Sequence, residues 1–240
     1  MSFDFKNRHI IVTGGAGSLG TAVVELLVES GAKCSVPCFN NAELNTFSLA
    51  DHSNVFALSN IDLSDEETAQ TFYADAIAEH GSLWASVHIA GGFRMGKIGD
   101  TPLTDFNQQF NLNTVTCYNS CRTAVQWMRK SDYSGGRIVN VAARPALEPR
   151  QGKGMIAYTV SKAGVAALTE SLAAEVVNED ILVNAIAPSA IDTPQNREAM
   201  PDANFDKWLK PRQLARQILY LVSPDNEVTR GSVIPVYGKS

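Results

Sequence analysis

Short apolar runs alternate along the chain with stretches of helical period. Residues 8–13 (RHIIVT) read as a short buried strand, and 18–30 as a helix ending before Gly31. A second strand is expected at 32–38, a helix at 41–50 and a third strand at 54–58. The stretch 64–80 predicts a helix capped by Ser64, with Glu67 three residues on completing a capping box. LWASVHIA (83–90) is a fourth strand that runs into Gly91-Gly92, and a long helical segment covers 103–130. GGRIVNVAA (135–143) is a turn and a fifth strand, followed by a helix over 154–178 and a strand at 181–187. A helix at 211–222 and a last strand in GSVIPV (231–236) complete the pattern.

Strands that read as apolar runs and alternate with helices imply a parallel sheet covered on both faces. The fold class expected is therefore α/β, a Rossmann-type doubly wound sheet of about seven strands with helices on both faces. No internal repeat, low-complexity tract or linker interrupts 1–240, which reads as a single domain. Ligands of such sheets lie outside the carboxyl ends of the strands, so chemistry is sought there.

Composition narrows the partners. A net charge of -5, with no basic cluster longer than Arg129-Lys130, argues against nucleic acid, because phosphate binding needs a basic face. The start MSFDFKNRHIIVTGG does not read as a signal peptide, and no apolar stretch approaches a membrane span. The compartment expected is the cytoplasm. The four cysteines fall in two pairs spaced i, i+4, Cys34/Cys38 and Cys117/Cys121, which suits neither a disulfide nor a C-x-x-C site. They read as buried thiols acting as small hydrophobes. His9, His52, His80 and His88 show no metal-ligand spacing, so no metal is expected. His88 stands apart, because it ends the fourth strand, beside any ligand there.

The first strand runs into Thr13-Gly14-Gly15-Ala16-Gly17-Ser18-Leu19-Gly20 and a helix follows at once. Glycines there permit a tight turn and close backbone approach to a pyrophosphate, while the helix points free N–H groups at the anion. The chain thus reads as a dinucleotide-binding domain. The second strand ends Val36-Pro37-Cys38-Phe39-Asn40-Asn41, with no carboxylate before Glu43 to hold a ribose and no Lys or Arg to pair a 2′-phosphate. NAD or NADP fits the loop, and the missing basic group favours NAD slightly.

Tyr158 and Lys162 lie four apart on a predicted helix and so share a face. An ammonium beside a phenol favours the phenolate, which makes Tyr158 a usable proton donor or acceptor. Together these features resemble the short-chain dehydrogenase/reductase family over nearly the whole chain. The resemblance implies an NAD(P)-dependent oxidoreductase, with Tyr158 as general acid/base and Lys162 on the nicotinamide ribose. It implies that Asn113, fifteen residues before Met128, supports a proton-relay water. Cofactor contacts are implied for Gly14, Gly17, Ser18, Leu19 and Gly20, for the adenine pair Asp62 and Leu63, and for Ala90 and Gly91 after the fourth strand. Pro188, Ile191 and Thr193 match P-G-x-I/V-x-T, whose Ile and Thr meet the nicotinamide carboxamide. The family also implies a homodimer or homotetramer, and the helices at 103–130 and 154–178 carry the apolar faces for it.

The sequence departs from the family pattern in places that matter. Gly14, Gly17 and Gly20 follow T-G-x-x-G-x-x-G, with Ser18 where the usual loop has its middle glycine. The catalytic serine expected after the fifth strand is missing, since the chain reads Asn140-Val141-Ala142-Ala143-Arg144-Pro145. One such donor is commonly worth about a hundredfold or more in rate. The ending Val236-Tyr237-Gly238 lacks the usual V-D-G-G. Residues 191–208, with Gly154 to Tyr158 and Ala90-Gly91-Gly92, are similar to dihydropteridine reductases, members that also lack the serine. The function expected is hydride transfer to a small carbonyl or imine substrate with Tyr158 as proton donor. Pterin reduction and a non-catalytic dinucleotide-binding sensor are the alternatives. Arg144, Phe93, Arg94 and Met95 are candidates for the substrate site, and residues 194–210, with Met200, Phe205 and Trp208, for a lid over it.

Overall fold

A computed structural model describes residues 3–239. Among them, seven strands form one parallel sheet in the order β3-β2-β1-β4-β5-β6-β7. The strands are β1 His9–Thr13, β2 Lys33–Pro37, β3 Val55–Leu58, β4 Leu83–His88, β5 Gly136–Val141, β6 Ile181–Pro188 and β7 Val233–Val236. Each lies within a residue or two of the apolar run that predicts it. The run is apolar throughout because both faces of these strands are covered, so successive side chains enter different cores. Ile10 and Val12 point into one, with Leu27, Leu214 and Ile218 from α1 (Ser18–Glu29) and α9 (Pro211–Val222). Ile11 points into the other, with Phe72 of α3 (Glu66–His80), Ala124 of α5 (Thr116–Met128) and Val165 of α7 (Ile156–Glu175).

His9 belongs to this packing. It is buried, and its Nδ1 donates to Gly81 O at 3.0 Å, which leaves Nε2 to accept from Ser35 Oγ at 2.8 Å. Burial pushes its pKa down to about 4, so it holds the amino end of the sheet as a neutral ring.

Several boundaries differ from expectation for local reasons. The helix predicted over 64–80 begins at Glu66, and its cap is Asp65, whose carboxylate accepts from Thr68 N at 2.8 Å. Ser64 instead donates its hydroxyl to Asp62 Oδ1 at 2.7 Å. The carboxylate makes the stronger, charge-assisted cap. The helix expected at 41–50 is only α2 (Asn41–Thr46), because Phe47 turns into the core. The segment at 103–130 is α4 (Leu103–Phe110), one π turn (Asn111–Val115) and α5. The helix expected from 154 starts at Ile156, since Gly154 has φ +77° and cannot be helical. The short helices α6 (Arg144–Leu147) and α8 (Pro194–Ala199), of four and six residues, are too short for any periodicity to reveal. No helix of the described residues is long and apolar enough to cross a membrane.

The strand order reverses between β1 and β4, so the loops leaving these strands diverge and open a crevice. α9 helps to hold the sheet from behind. Ile218→Ala, at a fully buried position, is expected to cost about 2–5 kcal/mol. Urea unfolding should show the lower midpoint with an unchanged slope.

Candidate active site

The crevice at the carboxyl ends of the strands encloses about 1290 Å³. One wall is the turn from β1 into α1. Gly14 has φ +66°, and a Cβ there would lie 2.7 Å from Ala90 N. A Cβ on Gly20 would lie 2.0 Å from Gly14 O. Glycine is required at both positions by hard contact, whereas a Cβ on Gly17 meets only Gly14 O at 3.4 Å. Gly17 is the extended residue before α1, and no side chain caps the helix. The first-turn N–H groups and the positive end of the helix dipole therefore remain available to an anion. The cradle fits a pyrophosphate: it is tight where the backbone must approach and open where the ligand would lie.

Of the residues singled out by sequence, Gly14, Gly17, Ser18, Leu19, Gly20, Asp62, Leu63, Ala90, Gly91, Tyr158, Lys162, Pro188, Ile191 and Thr193 all line this one crevice. Asn113 does not. It is buried behind the Gly91-Gly92 turn, where its Oδ1 accepts from Gly92 N at 3.0 Å. Its Nδ2 is shared among Gly92 O at 3.0 Å, Gln109 O at 3.1 Å and Ser161 Oγ at 3.1 Å. It sits in the π turn, which displaces the backbone there from the regular ladder. Asn113 thus pins the β4 exit to α7.

Tyr158 and Lys162 are one turn apart on α7. Lys162 is buried, and its Nζ donates to Val141 O at 2.8 Å. Burial pulls its pKa from 10.5 down to about 8, partly opposed by Cys117. The folded value lies below the unfolded one. Charging Lys162 in the core therefore costs stability below about pH 8, and that cost is relieved between about 8 and 10.5. Tyr158 goes the other way. Phe93 packs edge-on against it at 4.9 Å, and burial pushes the phenol up to about 12. The lowering expected from Lys162 is not borne out: the shift is upward, and desolvation of the phenolate is its cause. Tyr158 consequently holds its proton at neutral pH.

No hydroxyl takes the place of the missing serine after β5, where Val141, Ala142, Ala143, Arg144 and Pro145 form the wall. Phe93 and Met95 line the crevice as expected, but Arg94 turns outward to Asp105 at 2.9 Å. His88 is a correction. It is buried beneath the crevice rather than in it, with Nδ1 2.7 Å from Asn140 Oδ1 and Nε2 2.8 Å from Ser86 Oγ. Cys121 Sγ lies 3.4 Å from both His88 Nδ1 and Asn140 Oδ1. Spacing in sequence hid this group, in which the ligand atoms of His88, Cys117 and Cys121 lie within 4.8 Å of one another. Both ring nitrogens of His88 and the Asn140 amide already have hydrogen-bond partners, which is the state a buried polar cluster needs.

Sequence reading also missed Glu43 and Asn119. Glu43 lines the crevice beside Pro37 and Phe39 and accepts from Phe39 N at 2.6 Å. Asn119 fixes the loop after β3 by donating to Leu63 O at 3.0 Å. The segment at 194–210 supplies Gln195, Asn196 and Met200 to the rim. Its two ends are joined by Asp192 N to Leu209 O at 2.8 Å, and Asp192 is paired with both Arg197 and Lys210. Those partners, Arg197 foremost, hold its carboxyl well below the usual range.

A family model described as short chain dehydrogenase matches residues 8–204. The 3-oxoacyl-acyl-carrier-protein reductase FabG of Chlamydia trachomatis is 29% identical over 99% of both chains. The 2,3-dihydro-2,3-dihydroxybenzoate dehydrogenase of Escherichia coli is 29% identical over 92% of this chain and 91% of its own. Among solved structures, a short chain oxidoreductase of Pseudomonas aeruginosa described as containing an atypical catalytic center superposes with a TM-score of 0.89. It is 24% identical and covers 98% of each chain. None of these relatives supports the likeness to dihydropteridine reductases.

The geometry makes a contrast between two glycines. A Cβ on Gly91 would lie 2.5 Å from Asn113 Oδ1 and 3.3 Å from Lys162 Nζ. Gly91→Ala should therefore destabilise the fold by about 1–3 kcal/mol. Gly17→Ala should leave thermal stability near wild type. Calorimetry on the two variants checks the contrast.

Proposed function

The chain belongs to the short chain dehydrogenase family, and from that premise we propose that it moves hydride between a nicotinamide dinucleotide and a small carbonyl or imine compound, with Tyr158 as proton donor. The observation that carries the reading is the convergence of the Gly14–Gly20 cradle, Tyr158 and Lys162 on one crevice. Members of the family generally use NAD or NADP.

The cofactor, when bound, supplies the hydride chemistry. The backbone N–H groups at the start of α1 would hold its pyrophosphate. Asp62 and Leu63 would meet the adenine, and Ala90 and Gly91 would flank the riboses. Lys162 would bind the nicotinamide ribose, and Pro188, Ile191 and Thr193 would meet the carboxamide. NAD is the favoured form, because Pro37, Phe39 and the carboxylate of Glu43 line the wall after β2, and Glu43 would repel a 2′-phosphate. Tyr158 Oη would give its proton to the substrate oxygen or nitrogen as negative charge develops there. Asn113 acts by holding the β4 exit and α7 in register. The segment at 194–210 would close over the substrate, moving about its clipped base. The reading extends to one cytoplasmic catalytic domain. Exposed Tyr118 on α5 and Val160 on α7 offer apolar faces for a homodimer or homotetramer.

Tyr158→Phe should lower kcat by at least about a hundredfold while NADH affinity stays near wild type. Fluorescence titration and steady-state rates on a panel of ketones, quinones, imines and quinonoid dihydropterin, with NADH and NADPH in parallel, check this. The reading fails if Tyr158→Phe turns over like wild type. In wild type, the rate of reduction should fall as pH rises through about 8, where Lys162 loses its proton. A flat kcat profile from pH 7 to 9.5 would contradict that assignment.

A further inference from the structure

The crevice has two ends of unlike charge. Its wall after β2 and β3 carries the carboxylates of Glu43 and Asp62, while its wall along β5 and α7 carries the cations of Arg144 and Lys162. Arg144 occupies the stretch from which the expected serine is absent. It is held there by a bracket that lies outside the crevice. Its Nε donates to Glu148 Oε2 at 3.0 Å, and the guanidinium lies 4.6 Å over the ring of Tyr237. Glu148 in turn accepts from the Tyr237 hydroxyl, which, after burial, helps to keep that phenol protonated. One of the five donors of the guanidinium is thus used. Among the described residues, Nη1 and Nη2 of Arg144 make no hydrogen bond, and the side chain is 28% exposed, at the crevice wall.

We propose that Arg144 is the recognition group for a carboxylate on the substrate, so that the compounds reduced are oxo acids rather than uncharged ketones. The proposal rests on the oxidoreductase reading above and names its substrate class. An arginine edge with two free N–H groups matches a carboxylate in a way that a lysine does not. The stack on Tyr237 and the bond to Glu148 fix the plane of that edge beforehand, so little freedom is lost on binding. An exposed i, i+4 ion pair alone would be worth little and would need no aromatic support. Glu148 offsets one positive charge, but Lys162 leaves this wall with a net positive excess. An anchored carboxylate also orients the reacting carbon, which matters more where no serine is present to hold its oxygen.

The test pairs short-chain 2-oxo and 3-oxo acids with their methyl esters, using NADH and NADPH. Wild type should favour the acid over its ester by about tenfold to a hundredfold in kcat/KM. Arg144→Gln should erase that preference through a higher KM for the acid, with the ester within about threefold of wild type, and Arg144→Lys should restore part of it. Tyr237→Phe should raise KM for the acid by a smaller factor. Equal use of acid and ester by wild type overturns the proposal. So does an equal fall in kcat for both in Arg144→Gln, which would make Arg144 a carbonyl-polarising group. If no compound of either kind is reduced while one of the ketones, quinones or imines above is, the proposal is overturned. If nothing on either panel is reduced, the oxidoreductase reading is what fails. Binding of the acids to the enzyme with NAD, followed by tryptophan fluorescence, then decides about Arg144. Binding that is lost in Arg144→Gln supports the proposal, and binding that is absent in wild type or unchanged in the variant overturns it.

Discussion

Everything in the crevice depends on how closely the exits of β1 and β4 approach each other and α7. At that point the sheet reverses its strand order, and backbone must lie against backbone with no side chain between. Gly14 meets Ala90, and Gly91 meets Asn113, at separations that admit no Cβ, and Lys162 Nζ lies close by. Asn113 then fastens the Gly92 peptide to Ser161 of α7. This small amount of glycine-limited space sets where Lys162 and Tyr158 sit relative to the start of α1. The glycine turn before α1 and the Tyr158 phenol, on distant parts of the chain, line one crevice because of it.

Burial then sets the electrostatics. Lys162 and Tyr158 are both desolvated, which lowers the lysine and raises the tyrosine, so that the ammonium and the neutral phenol coexist at pH 7. That combination suits giving a proton to a substrate on which charge develops. Alanines stand where a serine would, and beside them Arg144 is held at the wall by Glu148 and Tyr237. In the proposed reading Arg144 takes a carboxylate of the substrate, and the reacting oxygen is left to Tyr158.

The strands, the glycine turn and the Tyr158–Lys162 pair were legible in the sequence because each is written in a short local pattern. Apolar runs, a strand–glycine–helix junction and an i, i+4 spacing need no knowledge of distant residues. What was not legible is long-range. His88 ends β4 as expected, yet its ring turns down to Asn140 and Cys121, and only the packing of β5 and α5 determines that. Glu43 reaches the crevice from the first turn of α2, where the strand pattern holds no carboxylate. The Asp65 cap lies one residue from the Ser64 expected, because two oxygens competed for one helix end. Arg144 could be placed near a strand end, but its bracket joins α6 to the far end of the chain.

The central claim is that this crevice brings cofactor and substrate together for direct hydride transfer. The most direct measurement is to run a turned-over substrate with NADH deuterated at C4 on the transferred face and to analyse the product by mass spectrometry and NMR. Deuterium on the reacting carbon of the product is the predicted result. A product that carries no deuterium with NADH labelled on either face would contradict it.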